Sequence, residues 1–210
     1  MIRTASLRYA YKHSEDQNLV FPDIHLSSKE SLLILGASGV GKTTLLHLLA
    51  GLLPIDTGDV YIGNTHINRL TRGELNHFRG QNIGLIFQKS YFIKSLSVLE
   101  NLLIREKFSK SKSDRYRREE LLMHLGLCDQ MHKKVYQLSE GQQQRLSIAL
   151  GVIHKPKIIL ADEPTSNLDD INCEIVVSLL KKEAKICNSN LVIITHDQRV
   201  KPHFNNHIIL

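Results

Sequence analysis

The nine residues from Gly36 to Thr44, GASGVGKTT, constrain this chain more than any other stretch. They fit G-x-x-x-x-G-K-[ST], with Gly36, Gly41, Lys42 and Thr43 at the fixed places and Ala37, Ser38, Gly39 and Val40 between them. Directly before them, Ser31 to Leu35 (SLLIL) is a short apolar run that reads as a buried strand. Directly after them, Leu45, Leu46, Leu48, Leu49 and Leu52 recur at helical spacing. Strand, glycine-rich loop and helix, in that order, is the setting in which the pattern counts as a phosphate-binding loop.

The residue types follow from the chemistry of a polyphosphate, which concentrates negative charge and needs many short donors around it. Glycines let the backbone turn so that successive N–H groups point inward, with no side chain in the way. The helix beginning near Lys42 adds its positive end to the same spot. Lys42 is placed to reach the β and γ phosphates, the Thr43 hydroxyl to ligate Mg²⁺, and Thr44 to complete the cradle. A nucleoside triphosphate with Mg²⁺ is the expected ligand.

At 210 residues the chain suits one compact domain, or one domain with a small lobe. A hydrophobic share of 42% and 23% charged residues are ordinary for a soluble globular protein. The longest apolar runs are too short to span a bilayer, and MIRTASLRYAY lacks the apolar core of a signal peptide, so the cytoplasm is the expected compartment. Cys128, Cys173 and Cys187 include no C-x-x-C pair and argue for reduced thiols rather than disulfides or a zinc site. The net charge of +6, from 27 basic and 21 acidic residues, suits an anionic ligand, nucleic acid or an anionic membrane face without choosing among them.

Along the chain, residues 2–26 read as strands, with Leu7, Tyr9 and Tyr11 on one face, a polar turn from His13 to Asn18, and an extended pattern from Leu19 to Leu26 interrupted by Pro22. Asp56-Thr57-Gly58-Asp59 is turn chemistry before a short strand at Val60-Tyr61-Ile62. Asn82 to Gln88 is a second buried strand, and Ser97 is a candidate cap for a helix from Val98. Arg105 to Glu120 is rich in charge, which fits a solvated helix face with a Ser/Lys connection or a patch for an acidic or membrane-proximal partner. Leu121, Leu122 and Leu125 read as a helix closed by Gly126, and Gly141 to Ile153 as another helix. Lys157 to Ala161 and Leu191 to Thr195 are apolar strands, separated by an amphipathic helix carrying Ile175, Val176, Leu179 and Leu180. Strands apolar on both faces alternating with helices imply a mostly parallel sheet between helical layers.

In such sheets ligands collect beyond the carboxyl ends of the strands. Four strands end there in polar residues, at Gly36, Gln88, Asp162-Glu163 and His196. Asp162 is the natural Mg²⁺ ligand beside Thr43. Glu163, one residue further, is a candidate general base for water. Gln88 suits the metal or the lytic water, and His196 suits the γ-phosphate. A second anion site is suggested at Ser139, Gly141 and Gln142, where a hydroxyl and a small residue open a helix, although simple N-capping by Ser139 explains the same residues. Lying about 95 residues after the glycine loop, it suggests two molecules facing head to tail, each completing the other's site.

These residues resemble the nucleotide-binding subunit of ATP-binding-cassette (ABC) transporters over essentially the whole chain. Gly36–Thr43 looks like the Walker A motif, Ile158–Asp162 the Walker B strand, Glu163 the catalytic glutamate, Gln88 the Q-loop residue and His196 the switch histidine. Ser166-Asn167-Leu168-Asp169 is similar to the D-loop, LSEGQQQR to the family signature, and Tyr11 is best placed for the aromatic that stacks on adenine. The resemblance implies an α/β P-loop NTPase fold in one ATPase domain: a RecA-like core with a mostly parallel sheet, an N-terminal antiparallel β-subdomain and an inserted helical subdomain. The insert would span roughly residues 90–155, with about 1–89 and 156–210 forming the rest. It further implies ATP and Mg²⁺ as ligands and a homodimer with two ATPs at the interface.

RGQNIGLIFQ, the brief insert and LADEPTSNLDD look most like the lipoprotein-release, macrolide-export and cell-division group. Those subunits work at the inner membrane face with permeases of four transmembrane helices and a large extracytoplasmic domain, so a membrane permease is the expected partner and nucleic acid is not. Two residues depart from the pattern. Glu140 replaces the first glycine of the usual LSGGQ, and either weakens closure on ATP or points outward. Leu150 stands where many relatives carry arginine, and the sequence offers no physical account of it. The alternatives are a soluble ABC ATPase acting on nucleic acid or ribosomes, and a regulatory scaffold with little turnover.

Overall fold

The computed structural model describes residues 1–11, 18–89, 91–110 and 114–210. Most of the turn expected from His13 to Asn18, and Ser111–Ser113 of the charge-rich stretch, lie outside them. In β1 (Ile2–Ala10) alternation sets the faces: Ile2, Thr4 and Leu7 are buried while Arg3, Ser6 and Arg8 face solvent. Pro22 separates β2 (Asn18–Val20) from β3 (His25–Leu26), and both pair antiparallel with β1. β4 (Ser31–Leu35) then enters the glycine loop and α1 (Lys42–Leu49). β5 (Thr57–Ile62) and β6 (Thr65–His66) complete the antiparallel sheet, in the order β2-β1-β5-β6.

The turn expected at Asp56–Asp59 is corrected, because Thr57 already belongs to β5. Gly58 has φ 89° and faces a bulge in β1, where Ser6 has φ 52° and the register slips between Ala5 and Arg8. A Cβ on Gly58 would lie 2.5 Å from the carbonyl oxygens of both Ala5 and Ser6, so this glycine marks a bulge.

Capping sets the helix starts. α2 (Arg72–Asn82) opens with a Thr71/Glu74 capping box and leads into β7 (Ile83–Ile86). α3 (Val98–Ser109) opens with the expected Ser97, boxed with Glu100, and α4 (Arg115–His124) with Asp114. α5 (Glu140–Val152) opens with Ser139, and α6 (Asp170–Cys187), which follows β8 (Ile158–Asp162), opens with Asp169. β9 (Asn190–Thr195) and β10 (His207–Ile209) finish the chain. The second sheet runs β10-β4-β9-β8-β7 with every neighbouring pair parallel.

The three central strands of that sheet are apolar on both faces and divide their side chains between two cores. Leu32, Ile34, Ile158, Leu160, Val192 and Ile194 join a core with α1, β1 and β5. Leu33, Leu35, Ile159, Ala161, Leu191 and Ile193 join another with α3 to α6. Among the described residues no helix is long and apolar enough to cross a membrane.

The solvated face expected over Arg105–Glu120 is also corrected, since several of its charges turn inward. The Arg105 guanidinium donates to the carbonyls of Gly80, Ile83 and Leu150 at 3.3–3.4 Å and contacts His154 Nε2 at 3.0 Å. Burial, helped by the Arg105 charge, pushes His154 down to about 3 and keeps its ring neutral. The Arg118 guanidinium pairs with Glu106 at 2.7 Å. Arg117, whose side chain is 2% exposed, pairs with the fully buried Glu183 of α6 at 2.6 Å, and His124 adds a 3.1 Å contact.

Removing Glu183 takes away the buried partner of Arg117 and leaves only the half-exposed Glu120, 3.2 Å from Nη1, to face the guanidinium, which costs up to about 3–5 kcal/mol. Glu183→Ala is expected to lower the free energy of unfolding by that order in urea titrations, and adding Arg117→Met to recover most of the loss. A change under about 1 kcal/mol, the size of a surface pair, contradicts this account of the buried ion pair.

Candidate active site

The parallel register decides which side chains meet. Leu35 of β4 stands beside Thr195 of β9, and Asp162 of β8 beside Ile194 of β9, so the loops after these strands leave the same edge together. After β4 the chain turns through Gly39 and Gly41, both at positive φ, and Gly41 serves as N-cap of α1 with no side-chain cap. The first turn of α1 holds no acidic residue, which leaves its amide end suited to an anion. Lys42 folds back over this loop: Nζ donates to the carbonyls of Gly36 and Ala37, each at 2.9 Å, and lies 3.6 Å from Glu163 Oε1.

Glu163 is the most heavily restrained side chain of the site. Oε2 accepts from the Thr195 hydroxyl at 2.7 Å, while Oε1 faces His196 Nδ1 at 2.9 Å and accepts from the His196 backbone N–H at 3.2 Å. Its backbone is held in the left-handed region, at φ 46°. Burial alone pushes this carboxyl up, but the hydrogen bonds from His196 and Thr195 outweigh it, and the group sits below the usual carboxylate range. Its neighbour goes the other way. Burial raises Asp162, against the Thr43 hydrogen bond and with the Glu163 charge adding to the rise.

Thr43 Oγ1 donates to Asp162 Oδ1 at 3.4 Å. These two oxygens form a hard, oxygen-only pair that fits Mg²⁺, an ion that takes one or two protein ligands and fills its remaining positions with phosphate and water. A cluster of three or more His, Cys, Asp or Glu side chains suited to a protein-only metal cage does not occur among the described residues.

One cleft of about 340 Å³ is lined by Tyr11, Ser38, Gly39, Gly41, Lys42, Thr43, Thr44, Gln88, Glu163 and His196, so most of the residues singled out from the sequence share it. Gly36, Ala37 and Val40 build the loop behind it; a Cβ on Gly36 would strike Val40 Cγ2 at 2.9 Å. Tyr11 stands at the mouth, its hydroxyl 2.8 Å from Thr44 Oγ1 and its ring edge-on to Tyr9. Ser139, Gly141, Gln142 and Asp169 do not line this cleft. Ser139 and Gln142 cap α5 reciprocally at 3.3 and 3.0 Å, and a Cβ on Gly141 would meet open space. Asp169 caps α6 through the Asn172 N–H at 2.7 Å. Glu140 is exposed in the first turn of α5, where a carboxylate suits the helix dipole.

Two contributors escape a sequence reading. Leu19 of β2 lines the cleft beside Gly41, and nothing in its local pattern marks it. Thr195 holds Glu163, and its signal was a lone hydroxyl at the carboxyl end of an apolar strand.

Residues 22–166 match the family described as ABC transporter. The chain is 37% identical over 201 residues to the putative hemin import ATP-binding protein HrtA of Staphylococcus epidermidis, covering 94% of this chain and 90% of that one. It is 33% identical over 201 residues to the lipoprotein-releasing system ATP-binding protein LolD of Idiomarina loihiensis, covering 94% and 88%. Among solved structures it superposes on the dimeric ATP-binding cassette MJ0796, in a post-hydrolysis state bound to ADP and Pi, with a TM-score of 0.88, 33% identity and coverage of 100% and 94%. On this fold, this loop and these relatives, the chain belongs to the ABC transporter family, as one of its ATP-binding and ATP-hydrolysing subunits.

Proposed function

We propose that Glu163 is the general base of MgATP hydrolysis in this subunit, and that two copies close head to tail around two nucleotides to drive a separate membrane permease. The single observation that carries this reading is the Glu163 carboxylate, held ionised by Thr195 and His196 and 3.6 Å from Lys42 at the mouth of the glycine loop. The α1 amide end and the Lys42 ammonium receive the β and γ phosphates, so Lys42 exchanges its two carbonyl partners for phosphate oxygens. Thr43 and Asp162 hold Mg²⁺ with Gln88 nearby, and the ion supplies charge neutralisation on the phosphates when bound. Glu163 takes the proton of the attacking water. Tyr11, at the cleft mouth, stacks on adenine.

His196 has a constrained role. A neutral ring that donates from Nδ1 to Glu163 keeps only an acceptor at Nε2. A hydrogen bond to a γ-phosphate oxygen therefore requires the imidazolium form or release of Glu163, and either links the alignment of the base to bound nucleotide.

Ser139, Gly141, Gln142 and Asp169 are assigned to the nucleotide on the partner copy, a reading supported by their place outside the chain's own cleft and by the dimeric state of the MJ0796 cassette. The permease seat is assigned to a groove of about 510 Å³ walled by Leu85, Phe87, Phe92, Ile104 and Leu150, with Tyr91 and Phe108 exposed at 79% and 78% on its rim. This groove adjoins the nucleotide cleft, because Phe87 faces one and Gln88 the other. It also gives Leu150 a place, as part of an apolar wall. One relative is named for hemin import and the other for lipoprotein release, so the cargo follows from the permease. A four-helix permease with a large extracytoplasmic domain, and a position on the inner membrane face to which the +6 charge is suited, complete the proposal.

Glu163→Gln keeps the side chain's shape and removes the base, so kcat in a phosphate-release assay is expected to fall by about 10²–10⁴-fold with ATP binding retained. Lys42→Ala is expected to lose ATP binding itself in equilibrium titration. Unchanged turnover in Glu163→Gln contradicts its assignment as base.

A further inference from the structure

Two loops border Glu163, one between β8 and α6 and one after β9, and both are tied to the carboxylate of Asp197. Asp197 Oδ2 accepts from the Thr165 hydroxyl at 2.8 Å, and Cys173 Sγ approaches it at 3.7 Å. The Asp197 backbone N–H donates at 3.0 Å to the Thr195 hydroxyl, the same group that donates to Glu163. Arg199 closes this arrangement from outside. Its Nε and Nη2 each donate to an Asp197 oxygen at 2.9 Å, while Nη1 donates to the Leu168 carbonyl at 3.1 Å and to Asp170 Oδ1 at 2.7 Å. One planar guanidinium thus has one side on the loop that carries His196 and the other on the loop that carries Glu163, a task suited to its fixed fork of donors.

The β8–α6 loop is strained. Glu163 at φ 46° and Asn167 at φ 63° are both non-glycine residues in the left-handed region, a conformation that persists only where the surroundings impose it. Arg199 is not part of the nucleotide cleft. It lines a neighbouring cavity of about 450 Å³ that shares Gln88, Glu163 and His196 with that cleft.

We infer that Arg199 is a positioning residue for hydrolysis: by pinning the Leu168–Asp170 turn to Asp197 it holds the strained loop, and through Thr195 and the chain it fixes the aim of Glu163. This rests on the assignment of Glu163 as base. Misplacing a reacting group by about 1 Å costs up to about 100-fold in rate without a matching loss of binding.

Steady-state ATPase kinetics, ATP affinity and melting temperature are to be compared for Arg199→Ala, Arg199→Lys and Asp170→Ala. Arg199→Ala is expected to lower kcat roughly 10-fold or more while KM and the dissociation constant of ATP stay within about twofold. Arg199→Lys keeps the charge but not the fork and falls between. Asp170, 88% exposed, supplies one contact of four, so Asp170→Ala retains most of kcat. An unchanged kcat in Arg199→Ala overturns the inference, and so does a parallel loss of kcat, ATP affinity and melting temperature, which marks a general loosening of the fold. Should Arg199→Ala not accumulate folded, Arg199→Lys decides on the same criteria. Glu163→Gln assayed alongside separates the two levels: retained turnover there removes the base, whereas abolished turnover there with full kcat in Arg199→Ala removes only the role of Arg199.

Discussion

Asp162 and Glu163 owe their places to the pairing of β8 between β7 and β9, and the glycine loop reaches them because β4 pairs with the same β9. Parallel strands leave a sheet in the same direction, so the residue following each one arrives at a shared edge. The β8–β9 ladder continues past Asp162, with the Glu163 N–H donating to the Ile194 carbonyl at 2.9 Å. That single backbone bond sets Glu163 opposite Thr195 and His196, whose hydroxyl and ring hold its carboxylate. A slip of one residue in this register would turn Asp162 and Thr195 to the opposite faces and separate them from the glycine loop.

Two adjacent carboxyls are driven apart by their surroundings. Asp162, buried with one hydroxyl partner, is raised, while Glu163, surrounded by donors, is lowered. Environments that push neighbouring titratable groups in opposite directions separate their tasks. Here the buried Asp162 faces Thr43, which suits a cation, and the ionised Glu163 faces the open cleft, which suits water. Buried charge is used again away from the site, where Arg117 with Glu183 ties α4 to α6 and Arg105 with three carbonyls ties α3 to α2, β7 and α5.

The legible part of the fold was the part with local cause. β4, β7, β8 and β9 announce themselves because burial on both faces demands continuous apolar runs, and the glycine loop because a phosphate seat needs its spacing. α2 gave no expectation because it fully buries none of its residues, and β10 because it is three residues at the sheet edge. Gly58 looked like a turn because a glycine that fits a bulge and one that makes a turn read alike. Arg117 looked solvated because its partner Glu183 lies 66 residues away. Thr195 and Arg199 belong to the same class, since Glu163 for the one, and Leu168 and Asp170 for the other, lie about 30 residues away in sequence. Site residues carried on strand ends were therefore readable, and the residues that hold them in place were not.

What a single copy lacks is as telling as what it contains. Its cleft gathers the glycine loop, Gln88, Glu163 and His196, with Asp162 beside Thr43, but the α5 amide end stands elsewhere, capped reciprocally by Ser139 and Gln142. A second copy would bring that end to the nucleotide. The most direct test is the mass of the Glu163→Gln chain in solution, by light scattering, with and without ATP and Mg²⁺. A doubling that appears with MgATP and disappears when the nucleotide is removed is the predicted result, and a single-copy mass at saturating ATP would contradict it.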